Sequence, residues 1–169
     1  MAPFRVGHAS GTRGSFRAIR TFDAVTLTIK DGKIFYNDRP FAILHPDTLL
    51  RDRTYWIMKK NGHLMTNSPV DTFTYVRVTP PDTTPAYLKT LAGTYHSYEA
   101  NATYRIELKE GTLIVNQIPT GSWKLEPSFY DGFFADGEDM YEFKRDKKGK
   151  VVALEVSVSR AERVLFLRQ

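Results

Sequence analysis

The chain has 169 residues, 41% hydrophobic and 25% charged, the balance of an ordinary globular protein and not of a disordered or fibrous one. It contains no cysteine, which excludes disulfides, thiolate metal sites and a cysteine nucleophile. The net charge of +5 is unevenly shared: residues 1–80 carry 12 Lys or Arg against 6 Asp or Glu and residues 81–169 carry 12 against 13, so the first half holds the basic character that would attract an acidic partner or nucleic acid.

In chain order, residues 1–13 form a lead that lacks the apolar core of a secretory signal, and no later run of about 18 apolar residues would span a bilayer. The expectation is a soluble chain without a membrane partner, either cytoplasmic or a fragment of an exported protein. From residue 14 the pattern is that of strands. Val25, Leu27 and Ile29 alternate with Ala24, Thr26 and Thr28, which predicts a strand with one buried face. Lys30-Asp31-Gly32 follows, and its glycine supplies the positive φ of a tight hairpin turn. A first unit is predicted over 14–79. The proline-rich segment VTPPDTTPAYL (78–88) reads as a stiff linker, assigned to residues 80–90, with Pro85–Leu91 as the best helix candidate of one or two turns.

A second unit is predicted over 91–169. Tyr104, Ile106 and Leu108 alternate with Thr103, Arg105 and Glu107 ahead of a Lys109-Glu110-Gly111 turn. Further strands are predicted near Thr94–Tyr98, Leu113–Gln117, Ser122–Glu126, Phe133–Ala135, Met140–Arg145, Val151–Ser157 and Arg163–Leu167, about eight in all. The two units align. LTIKDGKIFYN (27–37) matches IELKEGTLIVN (106–116), Gly14-Ser15-Phe16 matches Gly93-Thr94-Tyr95, and Leu44-His45-Pro46 matches Leu125-Glu126-Pro127. Asn61-Gly62 matches Lys148-Gly149, and 71–77 matches 162–168 at a wider offset, which gives the second copy longer loops. This is a tandem duplication of a unit of roughly 70 residues. Eight short antiparallel strands are enough to close on themselves and remove exposed edges. The expected fold is therefore all-β, two small antiparallel barrels of about eight strands in tandem, with a single larger barrel or sandwich as the rival.

Leu91-Ala92-Gly93-Thr94-Tyr95, Tyr104-Arg105-Ile106, Lys109-Glu110-Gly111-Thr112-Leu113, Leu125-Glu126-Pro127, Phe133, Phe143-Lys144-Arg145-Asp146, Gly149-Lys150-Val151 and Phe166-Leu167-Arg168 form a pattern over about 90–169. It resembles the lipocalin-like barrel domain at the C-terminus of serine β-lactamase-related hydrolases and D-aminopeptidases, the latter carrying two such barrels in succession. The catalytic domain of that family has a Ser-x-x-Lys motif, and no serine of this chain has a lysine at that spacing. The resemblance thus implies an accessory barrel pair without the hydrolase core, one that binds a small ligand or peptide, covers the active site of a partner hydrolase domain or mediates assembly.

The residues themselves present no catalytic constellation: there is no Gly-x-Ser-x-Gly elbow and no phosphate loop. No cofactor is expected. His8, His45, His63 and His96 are scattered without ligand spacing, so no metal site is expected. The acidic run Asp131–Asp139 lacks the alternating ligands of a calcium loop and reads as a solvated connection. The basic runs Lys144–Lys150 and Lys59–Gly62 read as hairpin tips. Nucleic-acid binding is disfavoured there, because Tyr141 and Phe143 would face away from Glu142 and Lys144. A polyanion binder through the basic first unit, and a lipocalin-like small-molecule carrier, are the alternative functions. Trp56, Trp123, Phe16, Tyr95, Tyr104, Phe143 and Phe166 ordinarily fill cores, but such a barrel also has room for one small ligand. Tyr104, Trp123, Phe143 and Phe166 are the ligand-pocket candidates.

Overall fold

A computed structural model describes residues 11–18, 24–118, 121–135 and 139–169; His8, most of the 1–13 lead and residues 136–138 of the acidic run lie outside these. Among the described residues the protein is all-β apart from one short helix, and the chain divides into two compact units, residues 1–79 and 80–169. No helix among the described residues is long and apolar enough to cross a membrane.

The first unit contains β1 (Gly11–Ala18), β2 (Ala24–Lys30), β3 (Lys33–Tyr36), β4 (Arg39–Pro40), β5 (Ala42–His45), β6 (Thr48–Arg51), β7 (Thr54–Met58), β8 (Leu64–Asn67) and β9 (Thr72–Val78). They form an open nine-stranded sheet in the order β4-β3-β2-β1-β9-β8-β7-β6-β5. Alternation does what the sequence predicts: Val25 and Leu27 are buried while Thr26 and Thr28 are exposed. They join Ile34, Phe41, Leu49, Trp56, Leu64 and Tyr75 in one apolar core. Asp31 at φ 48° and Gly32 at φ 72° make the β2–β3 turn.

The expected first barrel is therefore an open sheet. Its two edge strands, β4 and β5, are separated in the chain by Phe41 alone, whose N–H donates to the Ile34 carbonyl at 2.9 Å. Pro40 has no N–H to offer a second neighbour, so β4 stops after two residues and no strand bridges β3 to β6.

The second unit contains α1 (Pro85–Leu91) and then β10 (Gly93–Ser97), β11 (Ala102–Lys109), β12 (Thr112–Ile118), β13 (Gly121–Phe129), β14 (Gly132–Ala135), β15 (Asp139–Arg145), β16 (Val151–Val158) and β17 (Ala161–Arg168). These eight strands form a closed antiparallel barrel. Closure has two sources. The long β13 pairs with β12 through its first half and with β14 through its second. β10 then meets β17 through Tyr95↔Arg168 and His96↔Leu167.

Helix α1 starts where Thr84 Oγ1 accepts from the Tyr87 N–H and Pro85 stands in the first turn. Its Tyr87, Leu88 and Leu91 are buried in the barrel core, so most of the stretch expected to be linker is part of the second unit. The barrel end beneath α1 carries the turns at 110–111, 130–131 and 146–150. The opposite end, the mouth, carries the connections 98–101 and 159–160.

Candidate functional site

Inward-facing positions repeat every second residue along each strand, so Tyr104 on β11 points the same way as buried Ile106, and Trp123 on β13 the same way as buried Leu125. Near the mouth these side chains converge. The Tyr104 ring stacks on Phe166 with centroids 4.5 Å apart and planes 15° apart, and it meets Trp123 at 6.2 Å and Tyr141 at 6.0 Å. Trp123 Nε1–H donates to the Tyr141 hydroxyl at 2.9 Å. The Tyr141 hydroxyl also lies within hydrogen-bonding reach of the Tyr104 hydroxyl. Burial raises the pKa of both phenols, and Tyr104 adds to the rise at Tyr141, so both stay protonated through the neutral range. Each phenol has one O–H to donate, and they sit beside a Trp123 ring that is only partly buried.

Three of the four pocket candidates, Tyr104, Trp123 and Phe166, thus share one site. Phe143 does not: it lies deeper in the core against Tyr95 at 5.8 Å and Phe133 at 5.7 Å. Tyr141 takes its place, and only the inward phase of the β15 alternation pointed to it. Trp56 belongs to the first unit.

The α1 end is tied shut. Asp131, 9% exposed, accepts from the Tyr87 hydroxyl at 2.7 Å, from Arg145 Nε at 2.8 Å and from Arg145 Nη2 at 2.9 Å. Its own N–H donates back to the Tyr87 oxygen at 2.8 Å. Arg145 also reaches the Gly149 carbonyl at 2.9 Å, and Arg168 binds the Thr90 and Ala92 carbonyls at 2.8 and 2.6 Å. Asp131 holds Arg145 above its usual range, burial and then the Asp131 bond raise Tyr87, and burial pushes Tyr95 up to about 12. Every strong donor here has a partner, so the cluster fastens α1 to the barrel. The solvated acidic loop expected over Asp131–Asp139 is corrected accordingly: Asp131 is a buried anchor and Gly132–Ala135 is strand β14. The void beneath Leu88, lined by Leu113, Leu125 and Phe133, holds only about 50 Å³, too little for an organic ligand.

Elsewhere the charged candidates neutralise one another. Lys144 bonds Glu142 at 2.9 Å and Glu155 at 3.3 Å on the outer face, while Asp146 caps its own turn by accepting from the Lys148 and Lys150 N–H groups. On the first unit, Lys30 and Lys33 frame Phe35 in an open groove of about 310 Å³, but Asp31 and Asp38 line the same groove and cancel its charge. His45 is exposed, His63 is half-buried, and His96 Nδ1 lies 2.9 Å from Thr103 Oγ1. Among the described residues no three His, Asp or Glu side chains gather as metal ligands would. No protein-family model matches the chain, and no curated protein matches it.

Proposed function

We propose that the chain is a non-catalytic binding module of two lipocalin-like units derived from one duplicated unit, an open sheet and a closed barrel, and that the barrel takes a small amphipathic ligand or a peptide side chain at its mouth. The observation that carries this reading is the cluster in which Trp123 Nε1–H donates to the Tyr141 hydroxyl beside Tyr104, under an indole that is only partly buried. Apolar walls with a few oriented polar groups are the ordinary composition of a small-molecule site. The ligand class that fits has a planar apolar body and one hydrogen-bond acceptor. Duplication is supported by the matching hairpins: Glu110 and Gly111, at φ 48° and 78°, repeat the turn made by Asp31 and Gly32. In this reading the first unit is a copy whose closing strand is broken at Phe41. A partner hydrolase domain remains the natural companion, by the resemblance of the second unit to accessory barrels.

The test uses prodan, a neutral naphthyl ketone whose emission reports apolar surroundings. Saturable binding is expected, weakened about 3- to 10-fold by Tyr104→Phe, which removes one hydrogen bond while keeping the stack on Phe166. Binding unchanged in Tyr104→Phe and Trp123→Leu would refute the site. Turnover of D-amino-acid amides or β-lactams by the purified chain, lost on one substitution, would refute the non-catalytic reading.

A further inference from the structure

The first unit holds a different arrangement, independent of the second-unit site. Leu49 on β6 is wholly buried, so Arg51, two residues on and last in that strand, faces the same way. Its guanidinium carbon lies 4.9 Å from the ring centre of Tyr36, 5.2 Å from that of Phe41 and 6.0 Å from that of Trp56. Trp56 in turn packs against Tyr36 at 5.2 Å and Phe41 at 5.1 Å, which makes a three-ring wall around the cation. Only 18% of the Arg51 side chain is exposed.

Aromatic faces attract a cation, but they accept no strong hydrogen bond. A guanidinium carries five N–H donors. Here Nη1 donates to the Tyr36 carbonyl at 2.7 Å, and Nε lies 3.4 Å from Asp52 Oδ2. Among the described residues nothing accepts from Nη2 or from the second Nη1 hydrogen. The same Asp52 carboxylate, two-thirds exposed, also serves Arg39 at 3.6 Å, so two arginines share one negative charge. A largely desolvated cation with an unused donor edge and one excess positive charge nearby is complementary to an anion. The planar fork of arginine matches a carboxylate through two parallel bonds. By contrast, β14 of the second unit ends in the small buried Ala135, and its mouth is lined with hydroxyls.

We propose that this end of the first unit is a carboxylate-binding site, in which the free edge of Arg51 takes the carboxylate and the Phe41 and Trp56 rings hold the apolar group attached to it. A carboxylate of this kind comes from a small apolar acid or from the C-terminus of an apolar peptide. The probes are therefore benzoate and hexanoate against their amides, and an N-acetylated apolar tripeptide with a free against an amidated C-terminus. The readout is the Trp56 indole N–H resonance of the full chain, distinguished from that of Trp123 by Trp123→Phe. A saturable shift is expected with carboxylates and not with amides, weakened at least 10-fold by Arg51→Gln or Arg51→Met, partly restored by Arg51→Lys, and reduced by salt. The tighter of the acid and peptide series assigns the source. Equal shifts with acid and amide, unchanged binding in either Arg51 variant, or no shift with any carboxylate would overturn the proposal. The acid-against-amide comparison is made on the unaltered chain, so it stands even if a variant fails to fold.

Discussion

Removal of the Asp131 carboxylate is expected to destabilise the second unit by about 3 kcal/mol. The side chains of Asp131 and Arg145 are 12% and 17% exposed, so solvent screens their interaction little. Taking one partner from a buried ion pair ordinarily costs about 3–5 kcal/mol, because the other charge is left uncompensated. In Asp131→Ala, Arg145 loses three bonds to the carboxylate and the Tyr87 hydroxyl loses its acceptor, but Arg145 keeps the Gly149 carbonyl and Thr90 Oγ1. That retention sets the expectation at the lower end of the range. Asp131→Asn should cost less, since the amide oxygen still accepts from Tyr87. Adding Arg145→Met to Asp131→Ala should recover about 1 kcal/mol or more, because it deletes the stranded charge. The assay is urea unfolding of the full chain followed by tryptophan fluorescence. The chain has two tryptophans, and Trp56→Phe leaves Trp123 as the reporter of the barrel. With a slope of about 1–3 kcal/mol per molar urea, the midpoint should fall by about 1–3 M. A loss below about 1 kcal/mol in Asp131→Ala, or a double variant no more stable than the single, would refute the account of this cluster.

Alkaline pH above about 10 should weaken the second unit. Tyr95 titrates at about 12 in the folded chain against the usual 10.0, so its stabilising contribution is complete below pH about 10 and disappears as the pH rises toward 12. Tyr87 and Tyr141 shift the same way. Urea midpoints measured upward from pH about 9 should fall through this window, and a flat profile would contradict it. Gly132→Ala should cost about 1–3 kcal/mol, because a Cβ there would collide with the Phe129 ring, which is buried; thermal unfolding indistinguishable from the parent would disprove the contact.

Much of the barrel was legible in the chain. The predicted strand at Met140–Arg145 is β15, that at Val151–Ser157 is β16, and Pro85–Leu91 is α1. The glycines of the two Lys-acidic-Gly turns take the positive φ that the hairpins require. These features are local: period-two burial and turn chemistry act between residues a few positions apart. The Asp131 anchor was not legible, because its partners Tyr87 and Arg145 lie 44 and 14 residues away and each alone looks like a surface residue. That the pocket candidate Phe143 packs against Tyr95 and Phe133 and not against Tyr104 was not legible for a related reason. Alternation assigns a face, but depth along the barrel depends on the stagger between strands.

The sequence by itself determined that this chain is all-β, where its hairpins turn and which side of most strands is buried, since pleat and turn impose those patterns directly. Only the tertiary structure decided that one sheet closes and the other stays open at Pro40 and Phe41. It alone brought Trp123, Tyr141 and Tyr104 into one cluster, and it alone turned Arg51 inward against three aromatic rings. Those outcomes depend on register and closure, which join residues far apart in the chain and leave no periodic trace in it.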